Sequence, residues 1–100
     1  MRDDDFARWL KNIYKTRKGT SLVAAAQRDS ISRCRLIERY EGDLDKNFLQ
    51  DGLKRILSRL ECPDVNPRHD IPIDGNPKTG TASLKTAANH YFYFCIYSKP

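Results

Sequence analysis

The stretch from residue 3 to residue 14, DDDFARWLKNIY, spaces its apolar residues as a helix does. They recur at i, i+3, i+4, i+7 and i+8, which is one face of an amphipathic helix: Phe6, Trp9, Leu10, Ile13 and Tyr14. The three aspartates suit a helix start, where carboxylates cap free amides and face the positive end of the dipole. We therefore predict a first helix with Trp9 in the core, ending in the basic residues before Gly19.

A second helix is predicted between the capping hydroxyls of Thr20 or Ser21 and the stop at Gly42. Its alanines are good helix formers, and further along Cys34 and Ile37 fall on one side. The pair Asp29–Ser30 leaves two alternatives open. Either Ser30 caps a separate helix that runs to Tyr40, or both halves form one long helix.

Two more helices follow from similar patterns. Asp43 or Asp45 is a candidate cap for a third helix that reaches about Leu60 and contains Gly52. Thr81 or Ser83 is a candidate cap for a last helix, whose apolar face carries Leu84, Ala87, Ala88, Tyr91, Phe92 and Cys95. Residues 91–97 are aromatic enough for a strand, but the alanine-rich turns before them favour a helix.

Residues 62–80, CPDVNPRHDIPIDGNPKTG, have no helical periodicity. Four of the five prolines and two glycines fall here, which predicts a long loop. Within it, residues 71–73 are expected to form a short extended piece against the core, and residues 74–77 a turn.

These patterns predict an all-α protein, a small bundle of four or five helices with one long Pro/Gly-rich loop. One hundred residues suffice for a single domain, spanning residues 1–100, and are too few for two. The hydrophobic fraction of 39% is enough for one core, while 31% charged residues predict a well-hydrated surface.

Cysteine usage and the N-terminal stretch predict a cytoplasmic protein. Cys34, Cys62 and Cys95 are odd in number and widely spaced, which argues against a disulfide framework and a four-cysteine zinc site. The chain contains no apolar run typical of a signal peptide or a membrane span. A reducing compartment fits these features.

Part of the chain, residues 31–94, resembles a bacterial segment found on the N-terminal side of restriction-type and HNH-type nucleases. The resemblance rests on SRCRLIE at 32–38, GDLD at 42–45, IPIDGN at 71–76 and GTASLK at 80–85, then Ala88, Tyr91 and Phe94. The opening Phe6, Trp9 and Leu10, followed by helices, is also similar to the helical core-binding domain of tyrosine recombinases. The resemblances imply an accessory domain that recognises DNA or a partner while a separate domain cuts.

Candidate catalytic and metal-binding residues are sparse. Asp64, Asp70, Asp74 and Lys78 do not match the clustered carboxylates of a nuclease signature, and the prolines among them predict turns. Cys62, His69 and Asp70 have no regular metal-ligand spacing. Cys34 and Cys95 lie on apolar helix faces, where cysteine acts as a small hydrophobe. We therefore expect no enzyme activity, no metal and no cofactor.

The basic residues carry the functional hypothesis. The net charge of +5 favours an acidic partner, and arginine suits phosphate because its planar fork makes paired hydrogen bonds. The candidate nucleic-acid-binding residues are Arg17, Lys18, Arg28, Arg33, Arg35 and Arg39. They predict DNA binding, with base reading by residues 30–39 if these form a separate recognition helix.

Two alternatives to phosphate binding remain. In the first, the arginines form an ordinary solvated face in which Arg35 or Arg39 pairs with Glu38, Glu41 or Asp43. In the second, the domain docks onto a nuclease or regulatory protein through residues 63–79, without binding nucleic acid. One continuous basic face would favour DNA, whereas scattered charge with an exposed apolar patch would favour a protein partner.

Overall fold

The longest helix lies at the C-terminal end of the chain, and it packs against all four others. The computed structural model describes residues 1–61 and 68–100, and over these the elements are α1 (Asp3–Asn12), α2 (Ala24–Glu41), α3 (Leu44–Asp51), α4 (Lys54–Arg59) and α5 (Pro77–Tyr97). The most extensive contact joins α2 to α5, and α1 packs against both. No strand occurs among the described residues, so the predicted all-α bundle is confirmed.

The apolar face of α1 is buried as its spacing predicts. Phe6 and Leu10 are inaccessible to solvent and Trp9 is only 6% exposed. The ring of Phe6 meets Tyr91 of α5 edge-on, with centroids 4.9 Å apart, and Trp9 lies 5.9 Å from Phe94. An aromatic cluster therefore packs the first helix against the last.

The first helix is shorter than predicted, and its capping differs. It ends at Asn12, so Ile13 is largely exposed and the basic residues before Gly19 lie beyond the helix. The aspartates do occupy its first turn, but the capping position belongs to Arg2, and no side chain makes a capping hydrogen bond. Their contribution is therefore that of negative charge beside the helix dipole.

The second predicted helix is one continuous element, which settles the alternative left open at Asp29–Ser30. It begins after Val23, so neither Thr20 nor Ser21 caps it. Ser30 is buried inside it, where its hydroxyl contacts His90 of α5 at 2.5 Å. A separate recognition helix from residue 30 is therefore ruled out, because the backbone is helical on both sides of Ser30.

The third predicted helix is broken in the middle. Asp43 caps α3 as expected, accepting a hydrogen bond from the Lys46 amide at 3.1 Å. Gly52 and Leu53 both have left-handed backbone conformations, with φ of 68° and 64°. Glycine tolerates this conformation and leucine does so only at a cost in strain. The Leu53 side chain is fully buried, and that burial offsets the strain.

The last helix begins earlier than predicted. Asn76 caps it through hydrogen bonds from two backbone amides, and Pro77 takes the first helical position. The predicted loop of residues 62–80 therefore ends at Asn76, while residues 62–67 lie outside the described part. Neither of the two expected caps, Thr81 and Ser83, begins the helix, and Thr81 is buried within it. Residues 91–97 are helical, as favoured above.

The extended piece at residues 71–73 lies against the core, as expected. Ile71 is 4% exposed, and Ile73 packs over the first turn of α5 at Gly80. A Cβ built on Gly80 would stand 2.3 Å from Cγ2 of Ile73, so a glycine is required for this close approach. None of the described helices is both long and apolar enough to cross a membrane.

We predict that Gly80→Ala destabilises the protein by about 1–3 kcal/mol, despite the better helix propensity of alanine, because the added methyl overpacks the contact with Ile73. Urea unfolding measures the change. In Ile73→Ala the clashing Cγ2 is gone, so the same glycine substitution should then cost much less. An equal cost in both backgrounds would contradict this contact as the cause.

Candidate nucleic-acid interface

The positive charge of the chain is concentrated between residues 11 and 39. This segment holds eight lysines and arginines against two carboxylates, Asp29 and Glu38, a net charge of +6. The rest of the chain holds ten basic residues and eleven carboxylates, a net charge of −1. The segment comprises the end of α1, the connection that follows, and most of α2. An anionic partner would therefore be attracted to this part of the chain.

Arg17 and Lys18 stand at the tip of a tight turn between α1 and α2. The turn is closed by two backbone hydrogen bonds of 2.8 Å, from the Gly19 amide to the Thr16 carbonyl and from the Thr16 amide to the Thr20 carbonyl. Gly19 has φ of 81°, a conformation that glycine adopts readily. The turn thus presents two adjacent exposed cations.

Three of the predicted arginines share the outer face of α2. At 100° per residue, Arg28, Arg35 and Arg39 fall within about 40° of one another. All three are exposed, because the opposite side of the helix buries Cys34 and Ile37. The first and last are separated by about 16 Å along the helix axis. Arg28, Arg35 and Arg39 therefore form one broad basic face on α2.

Arg35 differs from its neighbours because it has an internal partner. Its Nε donates to the Asp3 carboxylate of α1 at 2.6 Å. The three alternative partners that we considered are engaged elsewhere. Glu38 accepts from the Leu44 amide, Asp43 from the Lys46 amide, and Glu41 from two other arginines. Within the described part of the chain, no carboxylate lies within 4.0 Å of the basic groups of Arg28 or Arg39.

Arg33 is separated from this face. It lies on the flank of α2 and lines an open cleft of about 530 Å³ between α2, the extended piece at residues 71–73 and the start of α5. Leu36 and Ile73 form part of its apolar lining, and Ser83 and Asp74 part of its polar lining. The structure therefore brings Arg28, Arg35 and Arg39 together and places Arg33 on another surface.

Arg55 and Arg59 have a structural role. Both bond to the carboxylate of Glu41, with Nη1 of Arg55 at 2.9 Å and Nε of Arg59 at 2.7 Å. The Glu41 side chain is only 4% exposed, so these arginines neutralise a carboxylate at the end of α2. Sequence reasoning missed this cluster and the Asp3–Arg35 pair, since neither pairing follows a local spacing.

The structure describes only part of the set weighed for catalysis, and its described members do not assemble into a metal site. Among the residues that the structure describes, no three His, Cys, Asp or Glu side chains are placed to hold a metal ion. Cys62 and Asp64 lie outside the described residues. Burial raises the pKa of the Cys34 thiol and raises that of Cys95 to about 12, which disfavours the nucleophilic thiolate.

The C-terminal half of α5 presents an exposed apolar face. Tyr93, Ile96 and Tyr97 are each more than half exposed, at i, i+3 and i+4. From Thr86 to Ser98 the chain has no Asp, Glu, Lys or Arg. The molecule therefore has both features that we set as alternatives, a basic face on α2 and an apolar patch on α5.

We predict that Glu41→Gln lowers the free energy of unfolding by roughly 1–3 kcal/mol, because two charge-assisted hydrogen bonds are weakened at a buried acceptor. Chemical denaturation of the variant and the parent measures the loss. Glu61→Gln, at an exposed carboxylate whose ion pair with Lys85 spans 3.6 Å, is the control and should change little. Equal effects of the two substitutions would show that Glu41 has no special structural role.

Comparison with known proteins yields no relative from which a function could be transferred. No family model matches the chain, and no curated protein or solved structure matches it. The resemblances to nuclease-associated segments and to recombinase domains therefore stay predictions. The function has to be argued from the chain's own charge distribution and surface.

Proposed function

We propose that this domain binds DNA through the outer face of α2 and the Arg17–Lys18 turn, as a non-catalytic recognition domain that acts with a nuclease or with a mobile-element or defence system. The observation that carries the proposal is the net charge of +6 over residues 11–39. Within this segment Arg17 and Lys18 are exposed in the turn, and Arg28 and Arg39 are exposed on α2. The association with a nuclease rests only on the sequence resemblance.

The proposed contacts are mainly to phosphate. Arg28 and Arg39 are exposed and lack a carboxylate partner in the described part, so contact with phosphate would break no internal ion pair. Their separation of about 16 Å along α2 is longer than the distance between neighbouring phosphates, so they would contact different parts of a backbone. Such contacts give affinity and orientation, and they carry no sequence information by themselves.

We predict that replacing Arg17, Lys18, Arg28 and Arg39 together by alanine weakens duplex binding by at least tenfold. It should also flatten the slope of log affinity against log salt by about 3–4, because the phosphate contacts that are lost no longer release counterions on binding. Fluorescence anisotropy with a labelled duplex over a salt series measures both quantities, while circular dichroism checks that the helix content is unchanged.

The matched control replaces four exposed lysines outside the segment by alanine, namely Lys46, Lys54, Lys78 and Lys99. It therefore has the same net charge as the first variant. It should retain most of the affinity. Equal weakening by both variants would show that only total charge matters. If the parent binds neither duplex nor single strands at low salt, the proposal fails and protein docking becomes the better account.

A second prediction concerns the Asp3–Arg35 ion pair. Asp3→Asn removes the internal partner of Arg35 and should raise duplex affinity several-fold, with a stability change below about 1 kcal/mol because the pair is exposed. Asp4→Asn makes the same charge change at a neighbouring exposed residue. The same gain from both substitutions would mean that net charge, and not the release of Arg35, is responsible.

Protein docking remains the second candidate because of the apolar face formed by Tyr93, Ile96 and Tyr97. This face lies on α5, whereas the sequence pointed to residues 63–79 as the docking segment. Aromatic residues are enriched in protein interfaces. In pull-down experiments with a candidate nuclease subunit, Tyr93→Ser with Tyr97→Ser should abolish capture under this alternative and leave it intact if α5 is not the interface.

A further inference from the structure

The two histidines of the chain differ in the number and kind of their hydrogen bonds. His69 is 6% exposed and lies in the connection that leads to α5, whereas the half-buried His90 lies within α5. Each makes a side-chain hydrogen bond to a hydroxyl group, His69 to Thr81 and His90 to Ser30. Only His69 also bonds to a backbone group of the connection.

The partners of His69 fix the position of its proton. Its Nδ1 accepts a hydrogen bond from the Ile71 amide at 3.1 Å. An amide N–H is a donor only, so Nδ1 must present its lone pair. Nε2 therefore carries the proton and donates to Oγ1 of Thr81, 2.9 Å away. Because Thr81 is fully buried in α5, the neutral ring ties the connection to that helix.

We propose that His69 is a pH-sensitive latch: the neutral ring holds residues 68–73 against α5, and its protonation releases them before the bundle unfolds. A proton on Nδ1 would face the Ile71 amide donor and would place a cation in a buried position. Release would also separate Ile73 from Gly80 and open the cleft that Ile73 helps to line. This proposal is independent of DNA binding.

The surroundings of His69 favour its neutral form over its cation. Burial lowers the pKa of His69 below its usual 6.5, and the Arg59 guanidinium of α4 lowers it further. Glu41 at the end of α2 and Asp70 next to His69 act in the opposite sense with smaller effect, so the pKa stays lowered. Glu41 is already neutralised by Arg55 and Arg59, which limits the stabilisation that it gives to a histidine cation.

The sign of the pH dependence follows from linkage. In the released segment His69 has an ordinary pKa near 6.5, so the released form takes up a proton first as the pH falls. The closed form therefore has its full advantage above pH 6.5. It loses that advantage progressively as the pH falls toward the lowered pKa of the latched ring.

His90 provides a control within the same molecule. Burial lowers its pKa too, but its Nδ1 lies 2.5 Å from the Ser30 hydroxyl, which either donates or accepts. A protonated Nδ1 can therefore keep this hydrogen bond by reversing its direction. Titration of His90 breaks no bond to the backbone and should not release residues 68–73.

Hydrogen exchange of the Ile71 amide tests the latch, because this amide is the donor to Nδ1. The protection factor, corrected for intrinsic exchange at each pH, should be constant between pH 7.5 and 6.5. It should then fall about tenfold per pH unit, since release takes up one proton. Near-ultraviolet circular dichroism over the same range should stay native, because the bundle itself remains folded.

His69→Gln replaces the ring with a group that does not titrate, so the pH dependence should disappear, whereas His90→Gln should retain it. A flat profile in the parent, or a slope that survives in His69→Gln, would overturn the proposal. Should His69→Gln fail to fold, a long-range ¹H–¹⁵N spectrum of the parent provides a second test. A protonated Nδ1 at neutral pH would contradict the latch geometry.

Discussion

The phenol of Tyr91 joins three parts of the chain at one buried point. Its ring is fully buried and meets Phe6 of α1 edge-on, while its hydroxyl donates to Asp45 of α3 at 2.7 Å. The same oxygen accepts the backbone N–H of Arg2 at 2.9 Å. Burial raises the pKa of this hydroxyl, so it stays a neutral donor. Through this one side chain, α5 fixes both the start of α1 and the start of α3.

The basic face is a consequence of this internal arrangement. With α1 seated on α5, its first turn lies beside α2, and Asp3 reaches Arg35. The contact of α2 with α5 buries Cys34, whose thiol donates to the Ala87 carbonyl at 3.3 Å. Because that side of α2 is inside, Arg28 and Arg39 must lie outside. The core thus decides which arginines are presented and which one is paired.

Local patterns predicted the helices well and their boundaries less well. The apolar spacing continues through Gly52, so spacing alone did not distinguish a glycine inside a helix from one that ends it. The pair Asn76–Pro77 predicts a turn, but an asparagine cap followed by proline is also a signal for the start of a helix. The side-chain partners of Glu41 and His69 lie 12 to 18 residues away, and only the packing of the helices brings such groups together.

The uneven charge of residues 11–39 matters because the molecule is large compared with the range of electrostatic forces in salt. The protein measures 37 × 29 × 21 Å, whereas the Debye length is about 8 Å at physiological ionic strength. A polyanion near one face hardly senses charges on the far side. It responds to the local field of the turn and of α2, and the net charge of +5 over the whole chain has little influence on it. A polyanion that approached this protein would therefore be oriented by the local field before any contact formed.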